Sequence, residues 1–330
     1  MSSHCNPFLR SPISLFALIL ACSLGSGCAG THPGRPARGP VAFEIEPWEY
    51  RGREGRQVTT EHYTIYTTIA DEYLLAALTE LLESSLEYYQ QLVPPLLSPQ
   101  KKMDVYLFAS RPEWIHFTRA FTGPRAKQFL RVRHGGYSEQ GVSVIQYTAH
   151  QTSFPLMAHE GFHQYLFHYV NPRVPAWLNE GLAVVCEGQR WKGTRITAFD
   201  PWHNPRRRNE LAEALVRKKT YPLRELLETH AGEVLARSRL KVSTYYGQLW
   251  ALSLFLREGQ DGKYAERFDR MLRSLAPEEL DRHARAAHIW SDDETFHPGS
   301  ALFRNFIGDD LESIEREYVE FMRQKVLGAH

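Results

Sequence analysis

His159-Glu160-Gly161-Phe162-His163 sets two imidazoles four residues apart, with a carboxylate beside the first. Imidazole binds divalent transition metals, and a carboxylate next to such a ligand can act as a general base. On a helix turning by roughly 100° per residue, positions four apart differ by only about 40° around the axis and by one turn in height. Both rings then leave one face and can share a zinc ion at about 2.0–2.1 Å. Glu160 is offset enough to miss the metal yet reach a water at its open position. Two histidines do not complete such a centre: a hydrolytic zinc takes a third protein ligand and keeps a fourth position for water. Glu180, within Pro175-Ala176-Trp177-Leu178-Asn179-Glu180-Gly181-Leu182-Ala183, is the candidate.

The elements that must position these groups are readable around them. Thr152 or Ser153 can cap a helix over 154–170 with Pro155 in its first turn, and Asn171-Pro172 ends it. Pro175 opens a second helix over 175–187 that closes near Gly188. The connection from Asn171 to Val174 is short enough to make a helical hairpin, which returns Glu180 to the histidines. Glu187, seven residues after Glu180, lies on the same face; it reads most simply as an exposed glutamate at a helix end, with orientation of a ligand as the alternative. His168 follows His163 by five residues and belongs to another face, and Cys186 reads as a small buried apolar group.

The H-E-x-x-H motif followed by W-L-N-E-G-L-A is similar to the gluzincin zinc metallopeptidases of the thermolysin and aminopeptidase-N kind, and most of all to an exported bacterial branch of that clan. The resemblance covers mainly residues 130–257, and the stretch between His163 and Glu180 is shorter than in the aminopeptidase-N branch. It implies Zn2+ as cofactor, Glu180 as third ligand, and a peptide or protein substrate. It also implies a zincin-like α+β fold: a small N-terminal mixed-sheet lobe with helices, then a mainly helical lobe, with the active site between them. Val242-Ser243-Thr244-Tyr245-Tyr246-Gly247-Gln248 looks like the tyrosine segment that follows the zinc helices in this family. Tyr246 is the expected oxyanion donor, with Tyr245 or a packing role as alternatives. Gly136-Tyr137-Ser138-Glu139-Gln140 distantly resembles the G-x-M-E-N element of aminopeptidases, although a hairpin turn into a strand explains the same residues. The expected chemistry is amide hydrolysis with Glu160 as general base; the alternative is a catalytically inactive envelope module that keeps the fold.

Composition is compatible with this and excludes other classes. The 330 residues, 43% of them apolar, can bury a large core, and 39 basic against 38 acidic residues give no net field for nucleic acid. Arg206-Arg207-Arg208 reads as a solvated loop. Arg10 precedes an apolar stretch from Ile13 to Leu24, too short to span a bilayer, which ends in Gly25-Ser26-Gly27-Cys28. Residues 1–28 therefore read as an export signal resembling the lipoprotein type, with Cys28 lipidated and the product anchored in the cell envelope; ordinary signal-peptide cleavage is the alternative. Cys5 and Cys22 would leave with the signal, so no disulfide framework remains and any metal is held by His and carboxylate.

Residues 29–58 are expected to form a flexible Pro- and Gly-rich tether, with order beginning near Thr60. Short strands are expected over 62–68, 103–108 and 142–147, the last forming the sheet edge, in a lobe over 59–152. Helices at 154–170, 175–187, 208–218, 222–235 and 243–257 make a zinc lobe over 153–257. Further helices at 263–274 and 309–325 form a C-terminal extension over 258–330.

Overall fold

The computed structural model describes residues 39–99, 101–132, 135–229, 231–234, 238–282 and 298–328. The expected signal and Cys28 lie outside the described residues. Strands come first: β1 (Glu44–Tyr50), β2 (Arg53–Thr59), β3 (Tyr63–Thr67), β4 (Met103–Phe108), β5 (Gly136–Glu139) and β6 (Val142–Gln146). They form one mixed sheet in the order β1-β2-β3-β4-β6-β5, in which β3, β4 and β6 run parallel and the other pairs are antiparallel. The parallel pair β3–β4 needs a crossover, and α1 (Glu72–Leu92) supplies it. Asp71 caps α1 by accepting from the Leu74 N–H at 2.9 Å, and Leu74, Leu78, Leu81, Leu82, Leu86 and Tyr89 bury its apolar stripe.

Helix α2 (Arg111–Thr122) covers the opposite face, packing Trp114 with Phe108, Tyr137 and Val144 into a second, smaller core. A short helix, α3 (Ala126–Phe129), follows. The rest is mostly helical: α4 (His150–Tyr165), α5 (Ala176–Val185), α6 (Pro205–Val216), α7 (Leu223–Glu228), α8 (Ala231–Val234), α9 (Arg239–Glu258), α10 (Ala265–Arg273), α11 (Pro298–Phe306) and α12 (Leu311–Met322). A two-stranded hairpin of β7 (Gln189–Lys192) and β8 (Arg195–Phe199) interrupts them. The chain is thus α+β, a mixed six-stranded sheet followed by a mainly helical region. No described helix is long and apolar enough to cross a membrane.

Several expectations are corrected. Order begins at β1, not near Thr60, so the tether reading does not hold for residues 44–58. Helix α4 starts at His150, a turn earlier than expected, because Ser153 Oγ accepts from the Thr148 N–H at 3.0 Å from inside the first turn. Its end relaxes into a π-helical turn over Leu166–Val170. Strand β6 is not the sheet edge; β5 is. The segment 222–235 is broken into α7 and α8. Helices α2 and α11 and the β7–β8 hairpin were not anticipated. Residues 298–328 are not an appendage: Trp177 of α5 donates to the Gly299 carbonyl at 3.0 Å, and Tyr318 of α12 donates to the Gln248 carbonyl of α9 at 2.6 Å.

Candidate metal centre

Two buried helices carry the motif. On α4 the apolar side chains of Phe154, Met157, Ala158 and Phe162 face the core, and Tyr89 of α1 donates to the Ala158 carbonyl at 2.7 Å, which fixes the helix against α1. On α5 the glycine after Glu180 decides the packing. A Cβ at Gly181 would stand 2.5 Å from Ser253 Oγ and 3.0 Å from the Leu249 carbonyl, so only glycine lets α5 approach α9 this closely. That approach sets Glu180 opposite the histidines and brings Tyr246 of α9 beside them.

His159 Nε2 lies 3.3 Å and His163 Nε2 3.6 Å from Glu180 Oε2, and the two rings stand almost perpendicular at 87° with centroids 4.9 Å apart. All three donor atoms fall within 4.8 Å of one another. Donors each about 2.1 Å from one tetrahedral ion stand roughly 3.4 Å apart, so the spacing suits a shared zinc. The carboxylate supplies a second indication. Glu180 Oε2 is buried and has no hydrogen-bond partner among the described residues, a costly arrangement unless a cation completes it. The donor set of two imidazoles and a carboxylate is that of catalytic zinc centres.

The far side of each ring is held. His163 Nδ1 donates to Asn179 Oδ1 at 2.6 Å and His159 Nδ1 to Glu187 Oε1 at 3.1 Å, which turns both Nε2 atoms toward Glu180. Glu187 is not the exposed terminal glutamate expected; its side chain is 8% exposed. Arg207 grips it with Nη2 to Oε1 at 2.7 Å and Nε to Oε2 at 3.1 Å, and Asn204 Nδ2 donates to Oε2 at 3.0 Å. The arginine run is accordingly no solvated loop: it lies in α6 with Arg207 buried. Burial opposes ionisation of Glu187, but Arg207 and His159 outweigh it and hold the carboxyl well below the usual range. Burial likewise disfavours a charged His159, yet the neighbouring Glu180 and Glu187 carboxylates raise its pKa to about 10. The position between these carboxylates stabilises positive charge.

Glu160 is buried, and desolvation raises its pKa, offset in part by His163, His159 and a backbone hydrogen bond from Ser138 of β5. Tyr246 stands with its ring 6.1 Å from that of His159, and the Arg207 guanidinium lies 5.1 Å from its ring centre. Burial, then Glu180, raises its pKa and keeps the phenol protonated. Tyr245 is fully buried and donates its hydroxyl to the Thr229 carbonyl at 3.0 Å, which commits it to packing. Gly136 to Glu139 are β5, Gln140-Gly141 its turn, and Glu139 is bound by Arg125 at 2.6 Å. A cavity of about 250 Å³ opens beside His163 and Glu180. Asn179, Asn204 and Arg207 were missed as site residues. Only Asn179, next to Glu180 in W-L-N-E-G, carried a sequence signal.

No protein-family model matches the chain, and no curated protein matches it.

Proposed function

We propose that the chain is a zinc-dependent metallopeptidase of zincin-like fold that hydrolyses peptide or protein amides outside the cytoplasm. The observation that carries this reading is the convergence of two oriented imidazole nitrogens on the buried, unbonded Glu180 Oε2 at 3.3 and 3.6 Å. His159, His163 and Glu180 would hold the metal. A zinc ion held there would supply Lewis acidity toward the scissile carbonyl and the attacking water. Glu160, one residue from a ligand and desolvated, takes the proton of the attacking water and passes it to the leaving amine. Tyr246, beside His159 and protonated, donates to the developing oxyanion. The outer edge of β5 pairs with the main chain of an extended substrate, and Ser138 on that strand ties it to Glu160. Arg10 to Cys28 support delivery across a membrane and a lipid anchor.

The open cavity and the nearby tyrosine favour an active enzyme over an inactive envelope module. The test is cleavage of a diverse peptide library by the metal-loaded protein with and without chelator, alongside Glu160→Gln. Chelator-sensitive cleavage by the wild type, and a variant that binds stoichiometric zinc but does not turn over, are expected. A Glu160→Gln protein with wild-type activity would remove the base assignment, and a wild type that binds zinc without cleaving anything would favour the binding module.

A further inference from the structure

The hydroxyl of Tyr246 has no hydrogen-bond partner among the described residues, whereas that of its neighbour Tyr245 is spent on the Thr229 carbonyl. The ring that carries it is nevertheless held from three directions. His159 stands edge-on at 6.1 Å, Tyr245 edge-on at 5.5 Å, and the Arg207 guanidinium lies 5.1 Å from the ring centre. A cation within about 6 Å of an aromatic centre is attracted to it, and more strongly where both are out of water. The phenol is thus fixed in place while its one polar atom stays unspent.

The local structure explains how Arg207 comes to lie there. Asn204 caps α6: its Oδ1 accepts from the Arg207 N–H at 3.2 Å while its Nδ2 donates to Glu187 at 3.0 Å, which ties the first turn of α6 to the end of α5. Gly247, next to Tyr246, lets α9 lie close against that part of α6. A Cβ at this position would stand 3.3 Å from Leu211 Cβ and 3.5 Å from the Arg207 carbonyl oxygen. The guanidinium itself is anchored at every nitrogen, through Nε and Nη2 to the two oxygens of Glu187 and through Nη1 to Glu210 Oε2 at 3.1 Å. A fork held at three points does not drift from the ring it lies against.

These contacts close a circuit from His159 to Glu187, from Glu187 to Arg207, from Arg207 to Tyr246, and from Tyr246 back to His159. We propose that Arg207 is a positioning residue that locks the metal ligand His159 and the oxyanion donor Tyr246 into one geometry, the first through Glu187 and the second through its ring. The proposal rests on the peptidase reading above and adds to that site a residue which acts on both halves of the chemistry without touching the substrate. Its charge and its shape are separable. Lysine keeps a cation beside Glu187 but has neither the fork nor the planar group against the ring, so Arg207→Lys tests position rather than charge.

Arg207→Lys, Tyr246→Phe and the double variant are compared at saturating zinc. Arg207→Lys is expected to lower kcat by about tenfold with KM nearly unchanged, because a displaced donor is missed in the transition state. In the Tyr246→Phe background the same change should cost less than about threefold, the mark of coupling between the two side chains. Competition with a chromophoric chelator should show the zinc affinity of Arg207→Lys lowered by about tenfold. If Arg207→Lys does not fold, Arg207→Gln/Glu187→Gln, a neutral hydrogen-bonded pair, takes its place with the same expectations. A readout without turnover keeps the proposal apart from the peptidase reading: in zinc-loaded protein with 3-fluorotyrosine in place of Tyr246, the fluorine NMR signal is expected to shift and broaden on Arg207→Lys. A wild type that binds zinc and cleaves nothing fails the peptidase reading alone, and the fluorine signal then decides whether Arg207 holds the ring. Equal losses of kcat with and without the Tyr246 hydroxyl, an unchanged zinc affinity, or an unmoved fluorine signal overturns the proposal.

Discussion

His159 is pinned between Glu180 on its Nε2 side and Glu187 on its Nδ1 side, and Arg207 neutralises the second of these. Orientation of a ligand ring by a buried carboxylate typically contributes about 10–100-fold to metal affinity. Glu187→Gln, which removes the charge but keeps an acceptor, is therefore expected to weaken zinc binding within that range, measured by competition with a chromophoric chelator. Arg207→Met leaves the Glu187 carboxylate buried without its counter-ion, a loss of about 3–5 kcal/mol read as a lower urea midpoint. The double variant Arg207→Met/Glu187→Gln should recover part of that loss; an Arg207→Met protein as stable as the wild type would show that the pair contributes nothing. The sequence revealed less here than at the ligands. The spacing from Glu180 to Glu187 put both on one face, but nothing in a run of three arginines marks which turns inward. The Arg207 pairing depends on how α6 packs, which no local pattern encodes.

At the scale of elements, helix pairing was readable and charged strands were not. The α4–α5 hairpin follows from Pro175, the short connection and the apolar periodicity, all local signals. The β1–β2 hairpin hid because its strands carry Glu44, Glu46, Glu49, Arg53, Glu54 and Arg56. Edge strands such as β1 take such charges to discourage pairing with other chains, and charge on both strands of the hairpin dilutes the alternation by which a strand is recognised. Its turn, Arg51-Gly52, has both residues at positive φ but lacks the usual Asn or Asp before glycine. The hairpin is tied to the lobe through Glu113, which accepts from the Ser110 N–H at 3.0 Å, from Thr68 Oγ1 at 3.1 Å and from Arg53 Nη1 at 2.9 Å. Burial opposes its ionisation, but the hydrogen bonds from Ser110, Arg53 and Thr68 outweigh it and lower the pKa. A depressed carboxyl pKa stabilises the fold above the unfolded value and loses that contribution as pH falls through the folded one. Glu113→Gln is expected to cost about 1–2 kcal/mol at neutral pH. The cost should shrink toward zero under acid, seen as a flatter acid limb in denaturation midpoints against pH. A gap that stays constant across the titration would contradict this.

For the whole molecule, the C-terminal extension that looks separable in sequence shares one core with helices α4 and α5. Trp177, three residues before Glu180, is fully buried, gives its indole N–H to Gly299, and stacks edge-on against Phe303 at 5.6 Å. Tyr318 and Phe321 of α12 close over Phe255 of α9, the helix that carries Tyr246. A zinc site requires its ligands to be held by packing that exists without the metal, because the geometry must precede chemistry. Here the C-terminal helices provide that packing for α5 and α9 alike. Removing residues 298–330 is thus expected to uncover Trp177 and Phe255 and to abolish cooperative unfolding rather than release an intact folded domain. The milder Phe303→Ala should lower stability by about 3–5 kcal/mol with a smaller but parallel loss of zinc affinity. Urea unfolding followed by tryptophan fluorescence, with and without zinc, checks both. A truncated chain that still unfolds cooperatively and binds zinc as tightly as the full one would show that α4 and α5 stand without their C-terminal support.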